Sequence, residues 1–141
     1  MSQEAIDKER WVVGAELPSL AKTLSQEKID RYARASGDFN PIHVDPAFAA
    51  QTPFGGTIAH GMLLLAYLSE VLTAAFGQAW LSDGRLKVRF KGAARSEDAV
   101  TVGGHIQRVQ EGHEERRLWC DVGCLNQQGE VLVAGQAEVK L

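Results

Sequence analysis

Only two of the 141 residues are cysteines, Cys120 and Cys124. They alternate with Leu118 and Val122, which predicts small buried hydrophobic side chains in a strand, and no His or Cys of matching spacing indicates a metal pair. A disulfide is not expected either, because such bonds are rare in the cytosol. Hydrophobic residues make up 45% of the chain, so a domain of this size can bury a core without disulfides or metal.

The sequence also lacks an excess of positive charge and a long apolar run. The formal net charge is -3 and the Lys and Arg residues stand singly or in pairs, so nucleic acid is not an expected partner. The longest apolar run, Met62 to Tyr67, is far too short to span a bilayer, and the polar N-terminus has no apolar signal core. We therefore expect one cytoplasmic domain with no membrane partner.

Helix start and stop signals are concentrated in the first half of the chain. Ser25 is a predicted N-cap, and the helix that follows it is predicted to end at Gly37. Asp45 is a second predicted N-cap, before a short helix over residues 46–51. The apolar segment over residues 59–76 predicts one long helix, and the apolar groups around it predict burial on almost every side.

In the second half, apolar residues recur at every second position, which is typical of half-buried strands. The predicted strands cover residues 86–90, 100–109 with a bulge at Gly103-Gly104, 117–125 and 131–141, with 20–24 and 10–13 as weaker candidates. Short connections predict antiparallel neighbours. The expected fold class is α+β: an antiparallel sheet of about five strands wrapped round one long central helix, with a helical overhang segment before that helix.

The segment between the first two predicted helices places Asp38, Asn40 and His43 in one tight turn around Pro41. A carboxylate and an imidazole five residues apart can both face one water molecule, and reversible proton transfer needs such a pair. Each residue also has an ordinary explanation, Asp38 as an Asx-turn residue and His43 as a histidine satisfied by a backbone group. The spacing by itself favours the ordinary explanation.

The wider string reverses that balance. Residues 36–46 read SGDFNPIHVDP and residues 58–63 read IAHGML. Together they resemble the hydratase 2 signature of the MaoC-like family of (R)-specific enoyl-CoA hydratases and 3-hydroxyacyl-CoA dehydratases. The resemblance covers residues 25–72, and the order of elements is similar to that family's hot dog fold. It implies a single MaoC-like hot dog domain over residues 1–141.

The resemblance assigns a role to each residue of the signature. It implies that Asp38 and His43 are catalytic and hold the water that adds to C3 of a trans-2-enoyl thioester, that Asn40 orients them, and that Ser69 can support the carboxylate. It also implies that the backbone N–H of Gly61 binds the thioester oxygen, and a helix N-terminus suits an oxyanion. Close packing of Gly61 against a strand, and an ordinary helix hydrogen bond of Ser69, remain alternatives.

Substrate and partners follow from the same resemblance. It implies reversible hydration of trans-2-enoyl-CoA to (R)-3-hydroxyacyl-CoA by a homodimer, with coenzyme A as part of the substrate and with no metal or redox cofactor. Open sheet edges also favour a dimer. The alternatives are a non-catalytic acyl-binding module and the same chemistry on an acidic acyl carrier protein. A basic patch for such a carrier could be formed by Arg85, Lys87, Arg89, Lys91 and Arg95.

One segment departs from the family. Many members have a proline and a Gly-Asp pair in the stretch that corresponds to residues 91–98, and this chain has neither. The departure concerns the acyl carrier more than the chemistry. Of the other histidines, we expect His60 to pack or to hydrogen-bond at the start of the long helix, and His105 and His113 to be structural.

Overall fold

In the computed structural model, residues 9–141 are described. Five strands form one antiparallel sheet with the spatial order β1-β3-β4-β5-β2, so β1 and β2 lie at its edges. The strands are β1 (Leu20–Thr23), β2 (Arg85–Phe90), β3 (Ala99–Glu111), β4 (Arg116–Leu125) and β5 (Val131–Lys140). This sheet confirms the predicted α+β class and strand number.

Helices fill the connections before and after the long central helix. They are α1 (Gln26–Ser36), α2 (Pro41–Val44), α3 (Pro46–Ala50), α4 (Gly61–Phe76) and α5 (Gln78–Asp83). α4 is the predicted long helix, and α1 to α3 form the helical segment that precedes it. Within residues 9–141, no helix has the length and apolar character needed to cross a membrane.

The ends of the first helices follow the predicted capping chemistry. The Ser25 hydroxyl accepts from the Lys28 N–H at 3.2 Å and starts α1. Gly37 ends α1 in the left-handed region at φ 79, which a residue without a Cβ adopts at little cost. The Asp45 carboxylate accepts from the Phe48 N–H at 3.2 Å and starts α3. These caps fix where the intervening turn begins and ends.

The core lies between α4 and the inner face of the sheet. The largest fully buried side chains come from the end of β1, from α1, α4 and the strands: Leu24, Ile29, Leu64, Leu68, Leu72, Ile106, Leu118, Val71, Val100, Val102, Val133 and Val139. Truncating such a leucine to alanine typically costs about 2–5 kcal/mol. α4 is therefore held rigidly, and its first residue is held with it.

The two cysteines belong to this core, as the alternation predicted. Cys120 and Cys124 are fully buried in β4 and neither is in a disulfide. Burial raises the pKa of the Cys120 thiol to about 12 and that of the Cys124 thiol to about 11. Both therefore stay protonated at neutral pH and behave as small hydrophobic side chains.

Two strand predictions were wrong. The bulge in β3 lies between Ile106 and Arg108, where the register with β4 shifts, and not at Gly103-Gly104. Gly104 serves close packing instead, because a Cβ there would overlap the carbonyl oxygen of Asp121 at 2.1 Å. Residues 10–13 form no strand. In that segment Trp11 packs on the Phe76 ring, with the ring centroids 5.1 Å apart, and closes one end of the core.

The helical half also differs in detail from the sequence pattern. The long helix begins at Gly61 and not at residue 59, and the turn after Asn40 contains α2, which was expected to be a loop. α5 was not predicted, because the sequence pattern indicated only that the long helix ends near residue 76. One side of α4 is open in the single chain, where Met62 is 54% exposed, so burial on almost every side was wrong for an isolated chain.

Candidate active site

Asp38 directly follows Gly37, the glycine that ends α1. Its Oδ1 accepts from the Asn40 N–H at 3.2 Å, which makes the Asx turn that was the alternative explanation of this residue. Its side chain is still 53% exposed, and its second carboxylate oxygen points towards His43. The turn therefore orients Asp38 through Oδ1 and leaves Oδ2 available to bind another molecule.

His43 lies in α2, which the preceding residues start. Pro41 occupies the first turn, and the Asn40 side-chain oxygen accepts from the Ile42 N–H at 3.1 Å. The His43 ring is mostly buried, and its Nδ1 lies 2.8 Å from the carbonyl oxygen of Ile58. Because a carbonyl oxygen only accepts, Nδ1 carries the ring proton. The lone pair is therefore on Nε2.

The two predicted catalytic groups face each other. Nε2 of His43 lies 3.9 Å from Oδ2 of Asp38. This distance is too long for a direct hydrogen bond, but one water molecule can lie at about 2.8 Å from both atoms. Nε2 and Oδ2 can both accept a proton from that water. The geometry is that of a pair that binds and deprotonates water.

His60 contacts both members of the pair, although the sequence indicated only a local role at the helix start. Its Nε2–H donates to the carbonyl oxygen of Asp38 at 2.9 Å, and its ring stacks on that of His43 with the centroids 3.8 Å apart. The Tyr32 ring packs edge-on against it at 4.8 Å. Its Nδ1 is buried and has no partner among the described residues. His60 therefore holds the backbone of one group and the ring of the other.

Asp38, His43 and His60 are also a candidate metal site, because a possible ligand atom of each lies within 4.8 Å of the other two. The two imidazole rings are stacked, with planes inclined by 25° and centroids 3.8 Å apart, whereas zinc lies in the ring plane about 2 Å from its nitrogen. A single ion close to both rings would therefore lie outside the plane of at least one of them. The geometry thus disfavours a metal held by both rings, and metal-independent chemistry stays a prediction.

Gly61 is the first residue of α4. Within residues 9–141, nothing accepts a hydrogen bond from its N–H, as expected for the first turn of a helix. A Cβ added at this position would lie 3.1 Å from the Phe90 ring of β2. Both explanations of the glycine therefore have support, since it has a free donor and it also packs closely against a strand.

Among the described residues, no hydrogen bond joins Ser69 to Asp38 or His43, and its support of the carboxylate stays a prediction. Its hydroxyl accepts from the Trp80 indole N–H at 3.2 Å, which ties α4 to α5. Eight residues separate it from Gly61, or about 12 Å along the helix. His105 is likewise engaged elsewhere, with its Nε2 3.6 Å from Oδ2 of Asp121 across β3 and β4.

Several known proteins are similar to this chain. A protein-family model described as MaoC like domain matches residues 12–122. The (R)-specific enoyl-CoA hydratase of Aeromonas caviae is 34% identical over 126 residues, which cover 86% of this chain and 90% of that protein. The 3-hydroxybutyryl-CoA dehydratase of Methylorubrum extorquens is 33% identical over 127 residues, which cover 86% of this chain and 76% of that protein.

Solved structures give the same result. The R-hydratase PhaJ1 of Pseudomonas aeruginosa superimposes with a TM-score of 0.79 at 27% identity, covering 92% of this chain and 84% of that one. The (R)-hydratase of A. caviae has a TM-score of 0.75 at 30% identity, covering 92% and 96% of the two chains. The chain therefore belongs to the MaoC-like family and has its hot dog fold. It is an enzyme of the hydro-lyase class, as these relatives are.

A first prediction concerns how Asn40 supports the pair. Asn40→Ala removes the acceptor that caps α2, so we expect a loss of about 1 kcal/mol in the free energy of unfolding and lower hydratase turnover. Asn40→Ser keeps a capping oxygen and should retain most of both. Urea unfolding and turnover of the two variants provide the measurement. A stable but inactive Asn40→Ser would show that capping does not explain the loss of turnover and would indicate that the amide itself contacts substrate.

Proposed function

We propose that this protein catalyses the reversible hydration of trans-2-enoyl-CoA to (R)-3-hydroxyacyl-CoA. The observation that carries the proposal is the 3.9 Å gap between Nε2 of His43 and Oδ2 of Asp38, with the ring proton on the other nitrogen. A relative of the same family, 34% identical, is named (R)-specific enoyl-CoA hydratase. Coenzyme A enters as part of the substrate, and the proposal requires no metal and no redox cofactor.

In the proposed reaction, the water held between the two groups supplies both the hydroxyl group and the hydrogen that are added to the substrate. Its oxygen bonds to C3 of the enoyl thioester while one of the pair, Asp38 or His43, takes its proton. The C2–C3 π electrons move towards the thioester carbonyl and form an enolate. The protonated group then returns a proton to C2, directly or through its partner, so water is consumed and both side chains recover their starting state.

The enolate oxygen needs a donor, and Gly61 is the residue that supplies it in this proposal. Its N–H is free and stands at the N-terminus of a 16-residue helix, where the helix dipole favours negative charge. The adjacent residue, His60, contacts both Asp38 and His43. The proposed oxyanion donor and the water-binding pair are therefore joined through one buried side chain.

A second candidate substrate is the same acyl group on a carrier protein. A cavity of about 590 Å³ along β2 and β5 is lined by two carboxylates, Asp121 and Glu138, which lie near His105 and Arg117. It is also lined by four cationic side chains that no ion pair engages within residues 9–141: Arg85, Lys87, Arg89 and Lys91. Such a surface suits an acidic partner. Arg95, the fifth member of the expected patch, lines a different cavity with Phe54 and Asp98.

One assay of the wild-type enzyme distinguishes these two candidate substrates. Loss of the enoyl thioester absorbance is followed with crotonyl-CoA and with the crotonyl thioester of an acyl carrier protein. Turnover of crotonyl-CoA at a kcat/KM above about 10⁴ M⁻¹s⁻¹ supports the main proposal. A strong preference for the carrier supports the second candidate. Absence of turnover with both contradicts the hydratase proposal and favours the non-catalytic acyl-binding module.

A second prediction tests the pair itself. Asp38→Asn and His43→Gln keep the approximate side-chain shapes but remove proton transfer, so each should lower kcat by roughly 10²- to 10⁴-fold in a folded protein. His113→Gln is a matched control, because His113 is exposed in the turn between β3 and β4, and it should keep full activity. Near-normal turnover in either of the first two variants would exclude the assigned pair.

A third prediction separates the hydrogen bond of Gly61 from its packing. Gly61→Pro deletes the N–H, and His60 already has φ -60 and ψ 134, which a following proline allows. Because any Cβ here crowds the Phe90 ring, both Gly61→Pro and Gly61→Ala are made together with Phe90→Ala. We expect the proline variant to lose about 10²- to 10³-fold in kcat relative to the alanine variant. Equal turnover of the two would refute the oxyanion assignment.

A fourth prediction concerns assembly. Phe39, Met62 and Phe90 each adjoin a site residue, and each is more than half exposed in the single chain. β2 is also an edge strand with one side unpaired. We propose a homodimer that covers this apolar surface. Light scattering at micromolar concentration should give twice the 15.4 kDa chain mass, and Met62→Lys should weaken the association. A wild-type mass of one chain would contradict the proposal.

A further inference from the structure

Gln26 lies outside the signature, yet its side chain reaches the catalytic loop. It is the first residue of α1, and its Nε2 donates to the backbone carbonyl oxygen of His43 at 2.8 Å and to Oδ1 of Asp30 at 2.9 Å. Its Oε1 accepts from the Thr57 hydroxyl at 2.5 Å. One amide therefore links three segments of the chain.

Thr57 connects this amide to the partner of the catalytic ring. It is only 6% exposed, and it directly precedes Ile58, whose carbonyl oxygen accepts from Nδ1 of His43 at 2.8 Å. The Ile58 N–H donates back to the Ile42 carbonyl oxygen at 3.2 Å. The amide of Gln26 thus holds the backbone of His43 on one side and the segment that binds its ring on the other.

The network specifies glutamine and not merely a polar side chain. The carbonyl of His43 and the carboxylate of Asp30 only accept, so the NH₂ group must face them, and Oε1 is left for the Thr57 hydroxyl. A glutamate at position 26 would place its carboxylate against that of Asp30 and would lose both hydrogen bonds that the NH₂ group donates. An apolar side chain would leave the buried Thr57 hydroxyl without an acceptor, which typically costs about 1–3 kcal/mol.

We propose that Gln26 and Thr57 are positioning residues that hold the Ile58 carbonyl against Nδ1 and thereby fix the tautomer of His43. With the carbonyl in place the ring proton stays on Nδ1, and Nε2 keeps the lone pair that takes a proton from water. If the carbonyl shifts, the proton can move to Nε2, and the ring no longer acts as an acceptor there. The expected effect on catalysis rests on the proposed function, whereas the expected tautomer of His43 does not.

A purely structural role of Gln26 is the alternative. Its backbone N–H donates to Oε1 of Glu97 at 3.2 Å, so the residue also ties the start of α1 to the loop before β3. If its side chain likewise only tied α1 to neighbouring segments, Gln26→Met would lower stability and leave the ring tautomer unchanged. The tautomer is therefore the measurement that separates the two roles.

The experiment compares Thr57→Val, which is nearly isosteric and lacks the hydroxyl, with Thr57→Ser, which keeps it. Gln26→Met removes the amide, and Gln78→Met is its control, because within the described part of the chain the Gln78 side chain bonds only to Ser82 on the surface of α5. The ring ¹⁵N shifts of neutral His43 are recorded in the full-length protein and are assigned by their loss in His43→Gln. Hydration kinetics are measured on the same samples.

We expect wild type, Thr57→Ser and Gln78→Met to carry the proton on Nδ1. Thr57→Val and Gln26→Met should show a mixture of tautomers and a kcat lower by about 10- to 100-fold, with KM nearly unchanged. A wild-type His43 with its proton on Nε2 would overturn the inference. So would an Nδ1 proton retained in both Thr57→Val and Gln26→Met, or a change of tautomer in these variants without a fall in kcat. An inactive wild type with the expected tautomers would refute the proposed function and the catalytic consequence, while the positioning role would stand.

Discussion

The hydrogen bond from Nδ1 of His43 to the Ile58 carbonyl oxygen, 2.8 Å long, is the interaction on which the site depends. It joins the helical segment before α4 to the chain that enters α4. It also decides which ring nitrogen has the lone pair, because the carbonyl can only accept. The proposed chemistry at Asp38 requires that lone pair to face the carboxylate. A hydrogen bond between a side chain and a backbone carbonyl 15 residues away therefore controls the tautomer of the proposed catalytic histidine.

Several backbone contacts keep the Ile58 carbonyl in place. The residues on either side of it are tied to the loop before β3, through Ala59 N–H to the Ala94 carbonyl at 2.7 Å and Ser96 N–H to the Thr57 carbonyl at 3.0 Å. α4 then begins at Gly61 and is anchored by the core. α4 and the turn that carries the proposed catalytic pair are thus parts of one hydrogen-bonded unit, which limits the motion of the pair relative to the proposed oxyanion donor.

His60 shows how burial and function are combined at this junction. Its ring is 2% exposed and lies between Tyr32 and His43, so it fills space that a smaller side chain would leave empty. Its Nε2 proton satisfies the Asp38 carbonyl oxygen, while Nδ1 has no partner among the described residues. An apolar ring would pack as well but would leave that carbonyl without a donor.

The sequence by itself determined most of the elements, though not α2 and α5, and it predicted the residues of the pair. Gly37 and Asn40 act locally, through a positive φ and a helix cap, so the turn that holds Asp38 and His43 could be predicted from neighbouring residues. The strand alternation likewise indicated a half-buried sheet. The contacts that only the tertiary structure decided join residues far apart in the chain: the amide of Gln26 with His43 and the Phe90 ring against Gly61. Local patterns specify φ, ψ and the buried face, but they do not specify which distant carbonyl a donor meets, since that depends on how the packed elements are placed in space.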